Sequence, residues 1–227
     1  LIEGGVKVDG HPAGVQVFLF YWTQLFGLSS TAVRLPFVLM GIFSVLLGYL
    51  ITRRWFGRTP ALYVGLAMAL LEFSVLYSQV ARPYISGLFL VLLTVHFWDS
   101  LVFRDKPKWT YAVLTGLGYA LAMYNHYFSF LTVLVLGVTG LFYVRKDRLG
   151  TYLLAGFIAV VLFVPHIPIT LFHLSVGGVG GWLEQPSAAW IFTHLVYVFN
   201  ESRFLLFVSI AIVAAILIRA NEIPRWT

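Results

Sequence analysis

The chain contains no cysteine, and only 11% of its 227 residues are charged. The absence of cysteine excludes disulfide bonds, zinc fingers and thiol chemistry from this chain. A soluble domain carries about 25% charged residues and is about half apolar, whereas 60% of the residues here are hydrophobic. With a mean hydropathy of +0.89, the chain has too little polar surface to cover a water-soluble core. This composition indicates a protein that is solvated by lipid.

The net charge of +6 does not indicate nucleic-acid binding. The basic residues are not gathered with stacking aromatic residues into one stripe, as a nucleic-acid-binding surface requires. They interrupt the apolar runs instead. We therefore interpret the basic excess as a determinant of membrane orientation, and we expect no nucleic-acid partner.

Apolar segments of membrane-spanning length recur along the chain. A helix needs about 20 apolar residues to cross roughly 30 Å of hydrocarbon. The segments that approach this length are 32–52, 60–78, 83–103, 109–124, 127–144, 149–170 and 202–219. The fourth and fifth are together too long for one crossing, so we expect two helices that meet at the polar turn Tyr124-Asn125-His126. The pattern predicts an all-α, polytopic transmembrane helical bundle with about seven crossings.

The distribution of basic residues predicts the orientation. With the amino-terminal end outside, the inner loops hold 11 of the 15 basic residues. The outer side then keeps only Lys7, Arg34, Arg82 and Arg203. Since the chain opens at Leu1 and stops on a charged run, we expect a fragment, with at least one earlier helix and material missing at both ends.

Two segments have the pattern of interfacial helices on the outer face. Between His11 and Phe26, apolar residues recur at helical spacing, which is typical of an amphipathic surface helix. The second segment, Ala188 to Phe199, follows a glycine-rich loop over 177–181. The predicted organisation is an outer loop with an interfacial helix over 1–30, a transmembrane domain over 31–219 that includes an outer loop at 171–201, and a cytoplasmic segment at 220–227.

Ionisable and polar residues near membrane depth are costly, so they are functional candidates. Nearly all of those left unexplained fall on the outer side. They are Asp9, His11, Arg34, Glu72, Arg82, Tyr84, Asn125, His126, Tyr127, His166 and His173. Their convergence from distant parts of the chain predicts a site at that membrane face.

Each candidate also has a structural interpretation. Arg34 fits a side chain that reaches the headgroups, and Arg82 fits a plain loop residue. Glu72 fits a structural ion pair with Arg82 or Arg34 as well as it fits catalysis, and His126 fits a hydrogen bond between helices. Asp99 lies at the inner end of its segment, where we expect it to pair with basic residues and to have no functional role.

The candidate residues lie within motifs that occur in one order. The motifs are Asp9-Gly10-His11-Pro12-Ala13-Gly14, Tyr21-Trp22, Leu25-Phe26-Gly27, Arg34-Leu35-Pro36, Trp55-Phe56-Gly57-Arg58, Tyr77-Ser78-Gln79-Val80-Ala81-Arg82-Pro83-Tyr84 and Tyr124-Asn125-His126-Tyr127-Phe128. This ordered set, over about residues 8–170, resembles the dolichyl-phosphate-mannose–protein mannosyltransferase-like enzymes, glycosyltransferase family 39 and its bacterial relatives. Ala13 departs from the family pattern, which often has a second proline there, and Asn125 receives no role.

The resemblance implies a type C glycosyltransferase-like fold in a bacterial inner (cytoplasmic) membrane. It implies transfer of a monosaccharide from a polyprenyl-phosphate-linked donor, by an inverting displacement, to a protein, lipid or glycan acceptor at the outer, periplasmic face. A lipid phosphate leaving group needs cationic donors, and the resemblance points to Arg82 and His11, with Tyr84, His126, Tyr127 and Arg34 also contacting the substrate.

The acceptor hydroxyl needs a carboxylate as general base. In the family this is an Asp-Glu pair, which would lie upstream of Leu1, so we expect the fragment alone to be inactive. Asp9 and Glu72 are the catalytic candidates within the chain. No ligand cluster in the sequence demands a cofactor, and a divalent metal (Mg or Mn) on the phosphate is compatible with the chemistry.

Two other classes of protein remain open from the sequence. A transporter or flippase for a polar lipid would also carry charges on its helices, but near the bilayer midplane and with repeat symmetry. A non-catalytic membrane scaffold would explain the hydrophobicity but not the convergence of Asp9, Glu72, Arg82 and His126.

Overall fold

The computed structural model of the protein describes residues 2–104, 109–176 and 185–218, and these ranges contain helices and no strand. Two short helical turns, Ile2–Val6 and Lys7–Asp9, precede the main helices. The helices are α1 (Gly14–Phe26), α2 (Ser30–Phe56), α3 (Arg58–Leu70), α4 (Glu72–Ser78), α5 (Pro83–Phe103), α6 (Trp109–Asn125), α7 (Ser129–Tyr143), α8 (Leu149–Phe163), α9 (Ile167–Ser175), α10 (Trp190–Val198) and α11 (Arg203–Ile218). The glycine-rich segment 177–181 and the predicted cytoplasmic segment 220–227 lie outside the described residues.

The structure confirms a multi-pass helical bundle but not the number of crossings. Among the described residues, three helical segments are long and apolar enough to cross a membrane: Ser30–Phe56, Pro83–Phe103 and Lys146–Ser175. Counting each of two bent helix pairs as one span raises the number to five. The predicted seven are not reached because α6 and α7 contain 17 and 15 residues, fewer than the about 20 that cross the hydrocarbon core.

The predicted helix over 60–78 is broken. Helix α2 turns into α3 at Gly57, whose φ of 88° is a left-handed conformation that glycine adopts without steric cost. Helix α3 then ends at Leu71, which is extended, and α4 continues at an angle of 53° to α3. No proline or glycine marks this break in the sequence, so periodicity alone predicted one continuous helix.

Helix α6 lies at the centre of the bundle and packs on α5 and α8 through small residues. A side-chain carbon added at Gly116 would lie 2.7 Å from the carbonyl oxygen of Ala155 in α8, and one added at Gly118 would lie 2.4 Å from the Thr94 hydroxyl in α5. Such close approach is the usual mode of helix packing in membranes. We call the end of the bundle where α5 begins and α6 ends the site end, and the opposite end the basic end.

The basic end contains the ion pair expected for Asp99. Its carboxylate is nearly fully buried and lies 2.6 Å from Arg54 Nη1. The indole N–H of Trp55 donates to the same carboxylate over 2.8 Å. A buried charge is tolerated when it is paired and hydrogen-bonded, so Asp99 joins α5 to the end of α2. This confirms the predicted pairing.

Helix α1 directs its predicted apolar stripe toward the bundle. Val15 packs with Phe37 and Ile85 in a buried cluster, and the indole N–H of Trp22 donates to the Ala32 carbonyl over 2.8 Å. The opposite face of α1 carries exposed apolar side chains, including Leu25. The stripe therefore fixes α1 across the site end of α2 and α5.

Candidate active site

Asp9 is the centre of a polar cluster at the site end. Arg82 Nη1 donates to Asp9 Oδ1 over 3.1 Å, and the Gln16 side-chain amide donates to Oδ2. The ring nitrogen His11 Nδ1 lies 3.4 Å from Oδ2 and donates to the Asp9 backbone carbonyl over 3.0 Å. The structure thus brings together three of the predicted site residues, Asp9, His11 and Arg82, and adds Gln16, which the sequence did not single out.

Arg82 keeps most of its donors accessible. Its side chain is 53% exposed, and one of its nitrogens binds Asp9. A guanidinium group carries five N–H donors in a planar fork, so the remaining donors can bind a second anion. An exposed cation held by a carboxylate in this way suits recognition of a phosphate.

His126 faces His11 across the cluster. The two ring centroids lie 5.4 Å apart, and the His126 ring stacks on Phe128. The Phe128 backbone N–H donates to His126 Nδ1 over 3.1 Å, so the neutral ring carries its proton on Nε2. Burial lowers the pKa of His126, and the neighbouring His11 lowers it further. The neutral ring can therefore donate one hydrogen bond from Nε2 to a ligand.

Asn125 joins the two chain segments that carry Arg82 and His126. Its side-chain N–H group donates to the Pro83 carbonyl over 2.8 Å, and the Ser86 hydroxyl donates to its Oδ1 over 2.6 Å. Asn125 is 3% exposed. Since Pro83 follows Arg82 and Asn125 precedes His126, this bridge sets the relative position of the two candidate ligands. The sequence assigned no role to Asn125, and only its place in a polar turn between two apolar helices pointed to it.

Two buried histidines hold the loop that carries Asp9 and His11. The Ala13 backbone N–H donates to His166 Nε2 over 3.0 Å. His173 Nε2 lies 3.2 Å from the Val6 carbonyl, to which it donates. Both histidines were predicted at the outer end of the sixth segment. Their hydrogen bonds hold the loop at one residue before Asp9 in the chain, Val6, and at one after it, Ala13.

Tyr127 supports this loop through its hydroxyl group. With the proton of His173 on Nε2, the Tyr127 hydroxyl donates to His173 Nδ1 over 2.7 Å. Burial raises the pKa of Tyr127, which keeps the hydroxyl protonated. The predicted role of Tyr127 in substrate binding thus competes with an internal hydrogen bond.

The remaining predicted residues lie outside the Asp9 cluster. Within the described ranges, Arg34 forms no ion pair, and its side chain is exposed on the first turn and a half of α2. The Tyr84 ring contacts the Tyr77 ring at 4.5 Å and is 41% exposed. Glu72 lies at the break between α3 and α4. Of the two ion pairs considered for Glu72, neither forms in the described structure: Arg82 pairs with Asp9, and Arg34 has no acidic partner there.

No metal cluster occurs among the described residues: no three His, Asp or Glu side chains are close enough to hold an ion. The Asp9 carboxylate contacts a guanidinium (Arg82), an amide (Gln16) and one imidazole (His11), and a second imidazole (His126) lies beside that of His11. These features define a multi-pass membrane protein whose polar site suits an anionic ligand at one end of the bundle.

The sequence model of one protein family, described as dolichyl-phosphate-mannose-protein mannosyltransferase, matches residues 10–169. The match covers more than two thirds of the 227 residues, and the chain belongs to this family. Membership implies glycosyl transfer from a polyprenyl-phosphate sugar, in general to a protein acceptor. The matched range contains His11, Arg82 and His126. Neither a curated protein nor a solved structure matches the chain.

Proposed function

We propose that the protein transfers a monosaccharide from a polyprenyl-phosphate donor at the outer, periplasmic face of a bacterial inner membrane, with Arg82, His11 and His126 binding the lipid phosphate. The observation that carries this proposal is the Asp9 cluster. It gathers a guanidinium and two imidazole rings at one end of a membrane bundle, beside a single carboxylate. Phosphate oxygens bind such charge-assisted donors strongly.

An apolar cavity beside the cluster supports a lipid-linked donor. Its volume is about 160 Å³, and it lies between α1, α2, α5 and α6. Its lining includes Gly14 and the apolar side chains Phe18, Phe37 and Leu121. Asn125, which precedes His126 in the chain, also lines the cavity. A prenyl unit next to the phosphate would bury its apolar surface here, and each buried CH₂ group contributes about 0.8 kcal/mol.

In the proposed reaction, the acceptor oxygen bonds to the anomeric carbon as the bond from that carbon to the phosphate oxygen breaks. The electron pair leaves with the lipid phosphate, and the configuration at the anomeric carbon inverts. The proton of the acceptor passes to a carboxylate base. Donors aimed at the phosphate oxygens lower the barrier because negative charge develops there in the transition state.

Asp9 fits a positioning role better than proton transfer. Both of its oxygens already accept hydrogen bonds, one from Arg82 and one from Gln16. We therefore propose that Asp9 orients Arg82 and His11 toward the phosphate.

The test measures transfer of radiolabelled sugar from polyprenyl-phosphate donors by the full-length protein in lipid nanodiscs. Arg82→Ala is expected to lower kcat/KM for the donor about 10–100-fold, because a hydrogen bond to a charged group contributes about 1.5–3 kcal/mol. His11→Ala is expected to lower it less. The matched control is Arg203→Ala, which removes another exposed arginine, at the start of α11.

Equal transfer by wild type and Arg82→Ala would remove Arg82 from the phosphate site. The flippase alternative would be supported if the wild type transferred sugar from none of a panel of donors but moved a labelled lipid between the leaflets of proteoliposome membranes.

A further inference from the structure

A second polar site lies at the break between α3 and α4. A cleft of about 370 Å³ opens there, within the size range of small-molecule sites. Its lining consists of Leu70, Glu72, Val75, Leu76, Gln79 and Asn200. The cleft contains no residue of the Asp9 cluster.

Asn200 builds one wall of this cleft. Its side-chain Oδ1 accepts the Glu72 backbone N–H over 2.6 Å, and its Nδ2 donates to the Leu70 carbonyl over 3.4 Å. Both bonds satisfy backbone groups that the helix break exposes. Asn200 itself has a φ of 58°, a left-handed conformation that asparagine tolerates better than most residues. The turn between α10 and α11 therefore packs against the break between α3 and α4 through Asn200.

The Glu72 carboxylate has no partner in the described part of the chain: it accepts no hydrogen bond and forms no ion pair there. It is exposed to the cleft side of α4, beside Val75 and Leu76. Irregular backbone within a membrane-spanning pair is tolerated where it lines a water-filled cavity. A carboxylate at such a break is thus placed to meet a polar ligand.

The cleft carries a negative charge, and most of its free polar atoms are hydrogen-bond acceptors. The Glu72 carboxylate has two oxygens available, whereas each polar atom of the Asn200 side chain already makes one bond to the break. Gln79 donates one hydrogen of Nε2 to the Val75 carbonyl over 3.2 Å, which leaves Oε1 as an acceptor and the second hydrogen of Nε2 as a donor. The Glu72 carboxylate repels an anion, and an extended peptide would need a row of donors and acceptors along an exposed strand edge, which these helices do not provide. A ligand rich in hydroxyl donors fits.

The cleft also neighbours the phosphate site. Gln79 precedes Arg82 by three residues, a separation of at most about 11 Å along an extended chain. A ligand in the cleft would therefore lie beside a sugar whose phosphate is bound at Arg82.

We propose that the Glu72 cleft binds the acceptor of the transfer reaction, and that this acceptor is a saccharide whose hydroxyl groups donate to Glu72 and Gln79. The assignment as acceptor rests on the proposed function, whereas binding of a saccharide head group does not. The two sites differ in charge. The cation Arg82 binds the phosphate of the donor, and the anion Glu72 accepts hydrogen bonds from the hydroxyl groups of the acceptor.

Binding of small soluble probes tests the proposal without knowledge of the acceptor. Saturation-transfer NMR on the full-length protein in nanodiscs would measure the Kd of n-butyl glucoside, n-butyl phosphate, butyltrimethylammonium and a short serine-containing peptide. We expect butyl glucoside to bind the wild type. Glu72→Leu should raise its Kd about tenfold or more, because a hydrogen bond to a charged group is lost.

Glu72→Gln keeps an acceptor oxygen and removes the charge, so it should raise the Kd of butyl glucoside less than Glu72→Leu does, because the hydrogen bond is weakened and not lost. The matched control is Asp147→Asn, which removes an exposed carboxylate at the basic end. Binding of butyl phosphate should be unaffected by the Glu72 variants and weakened by Arg82→Ala. If Arg82→Ala bound butyl phosphate as tightly as the wild type while the glucoside results were as expected, the phosphate site would be overturned and the saccharide site would stand.

Three results would overturn the saccharide proposal. One is equal binding of butyl glucoside by the wild type and Glu72→Leu. Another is preferential binding of butyltrimethylammonium that Glu72→Gln abolishes, which would identify a cation site. The third is binding of the serine peptide in place of the glucoside.

Discussion

Gly14→Ala tests whether close contact between α1 and the end of α6 shapes the site. An alanine Cβ at this position would lie 2.5 Å from the Tyr124 carbonyl oxygen and 2.8 Å from its carbon. Both are backbone atoms, so no side chain can rotate away. Contacts of this kind are normally about 3.5 Å. Helix α1 or the α6 end must therefore shift by about 1 Å.

The expected cost follows from two opposing effects. Overpacking of this type destabilises by about 1–3 kcal/mol, while alanine is favoured over glycine within a helix by up to about 1 kcal/mol. We expect a net loss of about 1–2 kcal/mol. Activity should fall further, because Tyr124 is two residues before His126 and a displacement of 1 Å at a reacting site can cost about 100-fold.

Gly150→Ala is the matched control, since Gly150 lies in the first turn of α8 and an added Cβ there meets no atom within 4 Å. Thermal unfolding in detergent micelles and sugar transfer in nanodiscs would be measured for both variants. The control should match the wild type or be slightly more stable. A Gly14→Ala variant as stable and as active as Gly150→Ala would refute the assigned contact.

Two further variants test the site. Asn125→Ala leaves the Pro83 carbonyl and the Ser86 hydroxyl without their partner, so we expect a loss of about 1–3 kcal/mol in thermal unfolding, with reduced transfer; a wild-type melting curve would exclude the bridge. The pKa of His126 lies below its usual 6.5 in the folded state, so its neutral form stabilises the fold above pH 6.5, and this contribution is lost as pH falls through the lowered pKa. Between pH 7 and pH 5 the wild type should therefore lose more stability than His126→Gln, and parallel losses would contradict this.

Much of the helical architecture was predictable because it depends on local periodicity. The turn between α6 and α7 covers residues 126–128 and so begins at the last residue of the predicted turn, His126, and Asp99 pairs with a basic residue at its end of the bundle. Convergence of Asp9, His11, Arg82 and His126 on one end followed from counting crossings. Each crossing carries the chain to the opposite end of the bundle, so the number of crossings between two residues predicts whether they share an end.

The partner of Arg82 was not predictable in this way. Glu72 precedes Arg82 by ten residues and was the nearer choice along the chain, yet Asp9, 73 residues away, binds it. Helix α4 ends at Ser78, four residues before Arg82, so helical spacing does not relate Glu72 to Arg82. The roles of Asn125 and Gly14 likewise depend on interhelical contacts, which periodicity does not specify.

The histidine contacts to the loop around Asp9 have a consequence for biosynthesis. Ala13 and His166 are 153 residues apart in the chain, and Val6 and His173 are 167 apart. At about 5–20 residues per second, the ribosome needs about 8–30 s to pass from the first of these residues to its partner. During that interval the loop with Asp9 and His11 lacks the bonds that later hold it, even though α1 and α2 have already been made. The polar site is thus completed only after α9 has been synthesised, so a nascent chain has helices α1 to α8 before it has a finished site.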